Sequence, residues 1–424
     1  MSRDKSLALF GGPRAVPKGQ PHPWPEIRQE DKDAVMRVLD RGRLWGAKAP
    51  EVTALEREWA AWVGQRYSLA TNSGTAALHM ALAAVGVGPG DEVITTPFSF
   101  TATATSILYH NAIPIFADID PVTYNIDPAQ IAEKITPRTK AILPVHLYGL
   151  AADMDPILDI AARHGLAVVE DCCQAHGALY KGRKLGTLGH VAAFSINGSK
   201  YLAAGEGGLL VTSNEDILER AARVRQFGER HVVSGPREYD SLGMGWMYRT
   251  TEMTAALARS QLKRLDESMA IARENASYLT RCLGGMKGFR TPVEPDGYRH
   301  AYYGYNLHFV PEELGIDMKI GDFMKRIRSA LNAEGMELGC YEFLIPGMTL
   351  FRQREGYGKG CPWTCGHYGG NVEYRASDYP IAQATVERIL ALAGFTPPNG
   401  TDLMDCYVEA IHKVFDNLDV VLAG

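Results

Sequence analysis

The chain has 424 residues, 46% of them hydrophobic and 22% charged, with 44 Lys and Arg against 49 Asp and Glu for a formal charge of −5. This ordinary globular composition excludes a collagen, a coiled coil or wholesale disorder, and the slight acid excess lacks the basic footprint of a nucleic-acid binder. No apolar run approaches the roughly 18 residues of a membrane span and the N-terminus lacks a long apolar leader, so the expectation is a soluble, cytoplasmic protein with neither nucleic acid nor membrane as partner.

At roughly 150 residues per domain the length suggests two to three domains. From about residue 26 to 265, helical patterns alternate with short apolar runs rich in β-branched residues. In chain order the patterns predict a helix over 75–85, a strand over 92–96, a helix over 100–109 and a strand over 112–119. Next come a strand over 140–145, a helix over 154–164, strands over 166–170, 190–196 and 208–212, and a helix over 217–224. Strands alternating with helices of this length imply βαβ units and an α/β fold with a mostly parallel sheet covered on both faces. Runs such as AILPV and LAVVE are apolar throughout, as strands buried on both sides are. A helical pattern over 254–279 leads into a region of different character. There the patterns predict a strand over 302–309, helices over 319–334 and 383–392, and a loop-rich stretch over 340–376. The expected division is a large unit, 1–265, with an N-terminal arm, and a smaller α+β unit, 266–424.

The seven cysteines are odd in number and scattered, which does not read as a disulfide framework. Cys361, Cys365 and His367 lie close together in sequence. A closed zinc site needs four ligands and no second pair matches, so no metal is expected.

Four segments carry chemistry. Asn72-Ser73-Gly74-Thr75 precedes an apolar helical run. Small residues and a hydroxyl there leave backbone N–H groups able to hold a phosphate, although an ordinary helix cap has the same composition. Val168 to Gly177 reads VVEDCCQAHG and puts Asp171 at the end of a buried strand, where ligands bind in open α/β sheets. A buried carboxylate needs a cationic partner, which a protonated ring nitrogen or a structural ion pair would supply. Phe194 to Lys200 reads FSINGSK and places a lysine in a turn after a strand, ahead of Gly205-Glu206-Gly207-Gly208. A partly desolvated lysine forms Schiff bases with carbonyls, whereas most lysines are simply surface residues.

The order of these segments, with NSGTAALHMAL, GDEVITTPFSFTATATSI, ILPVHLYGLAADM, VVEDCCQAHGA and FSINGSKYLAAGEGGLLVT, resembles the DegT/DnrJ/EryC/StrS family of sugar and cyclitol aminotransferases. The likeness runs from about Leu7 to Leu265 and is weaker beyond. It implies the fold of the type I pyridoxal-phosphate enzymes, with a seven-stranded, mostly parallel sheet, and pyridoxal 5'-phosphate as cofactor. Lys200 would form the Schiff base and shuttle the proton. Asp171 would pair with the pyridine nitrogen, Gln174 would bond the phenolic oxygen and Phe100 would stack on the ring. Gly74, Thr75 and Ser195 would bind the phosphate. His146, Tyr302 and Tyr303 are candidates for the substrate pocket, with a packing role as the alternative. The resemblance also implies a homodimer with the active site at the interface.

One segment departs from the family pattern. Relatives carry Gly-Tyr-Asn-Tyr-Arg, whose asparagine reaches the neighbouring subunit's cofactor phosphate, while this chain has Gly245-Trp246-Met247-Tyr248-Arg249. A thioether donates no hydrogen bond, so Tyr248 or Arg249 would have to compensate. The stretch from Tyr341 to Pro346 also departs, so no substrate residue carries over there.

The implied reaction is ping-pong transfer of an amino group from glutamine or glutamate to a keto cyclitol or keto sugar, as in aminoglycoside-like antibiotic biosynthesis. The opening LALFGG and Trp24-Pro25 resemble the branch acting on scyllo-inosose-type cyclitols. SINGSKYLAAGEGG is similar to the aminobenzoate-starter branch, so a dehydratase or lyase is the alternative, as is a nucleotide-sugar aminotransferase. A cofactor-binding protein without turnover has no need of Lys200, Asp171 and Gln174 together.

Overall fold

The computed structural model describes residues 6–46, 49–230, 237–339, 341 and 343–423. Cys340 and Glu342, both within the loop expectations above, lie outside the described residues. Among the described residues no helix is long and apolar enough to cross a membrane.

The first half of the chain builds β1 (Tyr67–Thr71), β2 (Glu92–Thr95), β3 (Ile113–Phe116), β4 (Thr139–Leu143) and β5 (Ala167–Asp171). A short hairpin follows, β6 (Leu179–Tyr180) and β7 (Arg183–Lys184), and then β8 (Val191–Ser195) and β9 (Gly208–Thr212). Seven of these form one sheet in the order β1-β9-β8-β5-β4-β2-β3. The pairs from β8 through β3 are parallel, and β9 runs antiparallel to both its neighbours. β8 and β9 are buried at every residue, in keeping with their largely apolar sequences VAAFS and GLLVT.

The helices cover both faces. Gly74–Ala84 is apolar nearly all round because it is buried between the sheet and Glu215–Arg225. Met154–His164 ends where Gly165 takes the left-handed conformation, φ 65°, that a side chain resists.

A second sheet, antiparallel, has the order β10-β12-β14-β13, with β10 (Phe289–Arg290), β12 (Tyr305–Phe309), β13 (Leu338–Gly339) and β14 (Ile389–Leu392). β11 (Tyr298–Arg299) leaves this region to pair with β6. Residues 343–386 do not stay with the second sheet. Ile345, Phe351 and Tyr374 pack on Phe98 and Phe116 of the large unit. The Tyr374 hydroxyl donates to the Pro114 carbonyl at 2.9 Å, and Tyr368 donates to Glu92 at 3.0 Å. The N-terminal arm crosses the other way: Glu334 accepts from the N–H groups of Ala8 (2.8 Å) and Ala15 (3.1 Å).

The structure departs from the expected elements in three places. The helix expected over 254–279 is two helices, Glu252–Leu262 and Leu265–Leu283, because Arg264 turns back to Asp31 (3.0 Å) and the Glu26 carbonyl (3.0 Å). The helix expected over 383–392 is Pro380–Val386 followed by β14, whose ILAL run fills the middle of the small sheet. The absence of disulfides is corrected as well. Cys361 and Cys365 are bonded, with Cα atoms 5.4 Å apart, which removes both as metal ligands.

Candidate active site

Parallel strands deliver their C-terminal ends to one crevice, the general ligand position in open α/β sheets. Asp171 closes β5, Ser195 closes β8, and the turn after β8 carries Lys200. The helix Gly74–Ala84 brings its first turn to the same place. Together they enclose a cavity of about 430 Å³ lined by Gly74, Thr75, Phe100, Asp171, Gln174, Ser195 and Lys200, and by Tyr303. That volume is within the range of small-ligand sites.

Asp171 is 4% exposed and its charge is held in place: Oδ2 accepts from the Thr103 hydroxyl at 2.8 Å and Oδ1 from the Cys173 N–H at 3.1 Å. Thr103 is braced in turn by Ser99, 3.0 Å away. The Gln174 amide is oriented by its neighbours. Its Oε1 accepts from the Tyr148 N–H at 2.8 Å, so Nε2 is the donor on the cavity side, 3.2 Å from the Tyr341 hydroxyl. Tyr148 reaches this position with φ 54°, a strained backbone for a non-glycine residue. Burial pushes the Tyr341 phenol up to about 12, so that hydroxyl keeps its proton through the neutral range.

The first turn of Gly74–Ala84 has N–H groups with no intrahelical acceptor, and Ser73 caps only one of them, donated by Ala76 at 3.0 Å. Backbone packs closely beneath that turn. A Cβ on Gly74 would stand 2.9 Å from the Ser195 Cβ and 3.0 Å from the Cys173 Sγ, and one on Gly208 would stand 2.7 Å from the Gly74 nitrogen. The Ser195 hydroxyl accepts from the Asn197 N–H at 3.3 Å, which leaves its proton to donate. Phe100 presents its ring to the cavity and is 61% exposed. The Lys200 amine donates to the Tyr303 hydroxyl at 2.8 Å, and the Lys200 carbonyl accepts from the Trp24 indole at 2.9 Å.

Two substrate candidates, His146 and Tyr302, do not line this cavity. His146 is fully buried and does not line the cavity. Its Nε2 lies 3.1 Å from Glu170 and its Nδ1 accepts from the Ala152 N–H at 3.1 Å. Burial works to raise the Glu170 carboxyl, but the His146 bond and the N–H groups of Gly189 and Gly186 outweigh it and leave it lowered. His146, Glu170 and Cys172 come within 4.8 Å of one another, yet these bonds already satisfy the His–Glu pair, and burial pushes the Cys172 thiol up. Tyr302 turns away from this cavity into a smaller one beside it. Thr103, Tyr341 and Trp24 were not foreseen: Thr103 and Trp24 lie in segments that resemble the family's, but nothing local shows that their side chains reach Asp171 and Lys200, and Tyr341 opens a stretch that departs from the family pattern.

Of the two replacements considered for the family's asparagine, Tyr248 is already engaged: its hydroxyl lies 2.9 Å from His79 Nδ1. Met247 is 50% exposed, and Arg249 lies over the rings of Trp45 and Phe227.

Comparison with known proteins agrees with this geometry. The model of the DegT/DnrJ/EryC1/StrS aminotransferase family matches residues 25–391. The L-glutamine:scyllo-inosose aminotransferase of Streptomyces griseus is 34% identical over 98% of this chain and 99% of its own length. The spore coat polysaccharide biosynthesis protein SpsC of Bacillus subtilis is 34% identical over 94% of this chain and 98% of its own. Among solved structures, 3-amino-5-hydroxybenzoic acid synthase superposes with a TM-score of 0.82 at 28% identity, over 95% of this chain and 98% of that one.

Proposed function

The chain belongs to the DegT/DnrJ/EryC1/StrS aminotransferase family and has the type I aminotransferase fold, and from that premise we propose that it moves an amino group from glutamine or glutamate to a keto cyclitol or keto sugar. The observation that carries this reading is the convergence of Lys200, Asp171 and the first turn of Gly74–Ala84 on a single cavity.

The residues fit pyridoxal 5'-phosphate. Gly74 and Gly208 have no room for side chains, and the bare backbone between them offers N–H groups at a helix N-terminus, suited to a phosphate. The bound cofactor supplies an electron sink that stabilises a carbanion at the carbon bearing the amino group. The chain supplies the rest. Asp171, fixed by Thr103 and the Cys173 N–H, is the anion for a protonated ring nitrogen. Gln174 offers an N–H to the ring's oxygen, Phe100 a face for stacking, and Ser195 a hydroxyl for the phosphate. Lys200 anchors the cofactor and, when released, moves the proton at the substrate carbon as general base and acid. Tyr303, within hydrogen-bond reach of that amine, holds it over the cavity.

The glutamine donor and cyclitol acceptor rest on likeness to the Streptomyces griseus enzyme over nearly all of both chains. A homodimer is part of the same proposal. Phe227, Leu242, Met244 and Met247 are exposed apolar side chains that a second copy would cover. So is the division of the chain at 265/266.

The test is an absorbance spectrum of the cofactor-loaded protein before and after adding L-glutamine. The visible band of lysine-bound cofactor should give way to the near-ultraviolet band of pyridoxamine phosphate with release of a keto acid, and Lys200→Ala should show neither. A visible band that neither glutamine nor glutamate bleaches refutes transamination from these donors.

A further inference from the structure

A second cavity, of about 150 Å³, adjoins the first, and Ser199 and Tyr303 line both. Its remaining walls include Trp24, Tyr302, Phe395 and Thr396, and among the residues lining it none is charged. It is built from four separate parts of the chain. The N-terminal arm is pinned by Asn399, whose Oδ1 accepts from the His22 N–H at 2.8 Å, and two residues on it places Trp24 against the Lys200 carbonyl. Tyr302 sits in the left-handed region at φ 53°, a strained setting for a bulky residue. The strain is held by the buried Tyr201 hydroxyl, which is 2.7 Å from the Ala301 carbonyl and 2.8 Å from that of Tyr302, and by stacking of Tyr302 on His300 at 4.1 Å. The effect of that turn is to set Tyr302 in the small cavity while Tyr303 reaches the Lys200 amine.

We propose that this small aromatic cavity seats the acceptor's ring, and that it selects a neutral polyhydroxylated six-membered ring over a phosphorylated or nucleotide-linked one. The inference rests on the transamination reading above and gives it a substrate class. Aromatic faces pack on the C–H faces of such a ring, while the hydroxyls of Ser199, Tyr303 and Thr396 can meet its own hydroxyls. A phosphate brought into a pocket with no cationic side chain would lose its water without a partner. The shared wall at Tyr303 puts a carbonyl carbon on the ring's edge beside Lys200.

The test uses the cofactor-loaded enzyme and measures its two half-reactions separately, with glutamine as donor and scyllo-inosose as acceptor probe. Ala393 stands on the exposed rim of the small cavity, so Ala393→Phe plugs it from the solvent side, and Phe395→Leu removes one aromatic wall. Each variant should lower the specificity for scyllo-inosose relative to that for glutamine by roughly tenfold or more, through KM rather than kcat. The non-reacting ring scyllo-inositol should inhibit the parent competitively against the acceptor and lose that inhibition in Ala393→Phe. A ratio unchanged in Ala393→Phe overturns the assignment, as does a nucleotide-linked keto sugar that the parent uses as well as it uses scyllo-inosose. Failure of glutamine to convert even the parent enzyme sinks the transamination reading instead, and is seen before any acceptor is added.

Discussion

Gly208 lies on β9 directly beneath the first turn of Gly74–Ala84, and Gly208→Ala tests whether that turn is a phosphate cradle. The added Cβ would press on the Ser73 carbonyl and stand 2.7 Å from the Gly74 nitrogen, both backbone atoms that cannot rotate aside. Reaching ordinary contact with the Ser73 carbonyl requires the turn to retreat by roughly 1 Å, and overpacking of this kind costs about 1–3 kcal/mol. The same shift misaligns the N–H groups offered to the phosphate. Losing one hydrogen bond to a charged group is worth about 1.5–3 kcal/mol, or roughly 10–150-fold in Kd. Gly205→Ala is the control. Gly205 has φ +86° with nothing within 4 Å, so alanine there costs stability, about 1–2 kcal/mol of left-handed strain, without touching the cradle. Titrating the cofactor-free proteins with pyridoxal 5'-phosphate and following the visible band gives Kd, and thermal melts give stability. Gly208→Ala should lose both affinity and stability, and Gly205→Ala stability alone. If Gly208→Ala binds the cofactor within twofold of the parent, the cradle is misassigned.

Stability should also fall as the pH drops from about 6.5 towards 4.5. Burial lowers His79, His176 and His300 to about 3 and His110 to about 4, with the neighbouring charge a secondary cause where there is one. These groups are neutral in the fold and titrate near 6.5 when unfolded, so below 6.5 the unfolded chain takes up protons that the fold refuses. Each costs about 1.4 kcal/mol per pH unit, and Glu170, held low, adds nothing until the carboxylate range is reached. Urea midpoints that stay flat between pH 6.5 and 4.5 would contradict this. The Cys361–Cys365 bond closes a loop with a sequence separation of 4, which makes it worth on the order of 2 kcal/mol. Thiol titration in denaturant should find all but two of the seven cysteines, and reduction should lower the melting temperature while leaving the glutamine half-reaction intact.

The large sheet was legible because each parallel strand is a short apolar run ended by turn residues, and the run itself reflects burial on two faces. The same rule misleads at ILAL, where a four-residue apolar run after a helical stretch carries no period of its own and reads as more helix. Its strand character comes from β12 and β13 on either side, more than fifty residues away in sequence. The break at Arg264 was equally hidden. Nothing local forbids a continuous helix there, and the cause is an ion pair to Asp31, 233 residues earlier.

The active site divides along the same line. Asp171, Lys200 and Gly74 stand out in the sequence because each sits where the backbone itself makes a demand (a strand's end, a tight turn, a helix N-terminus), whereas Gln174 is singled out by the resemblance alone. His146 stood in an equally suggestive motif, and its two ring nitrogens turned out to be occupied by Glu170 and Ala152, which sequence spacing does not reveal. The residues that hold the readable ones in place come from far away: Thr103 is 68 residues from Asp171, Tyr341 is 167 from Gln174, and Trp24 is 176 from Lys200. Local motifs therefore describe the chemistry common to the family, while the walls that meet the acceptor are assembled by tertiary folding from the arm, Tyr302 and the segment after β14. A motif match consequently reads the reaction more sharply than the substrate, and in this chain the place to look for the substrate is the uncharged aromatic cavity beside Lys200.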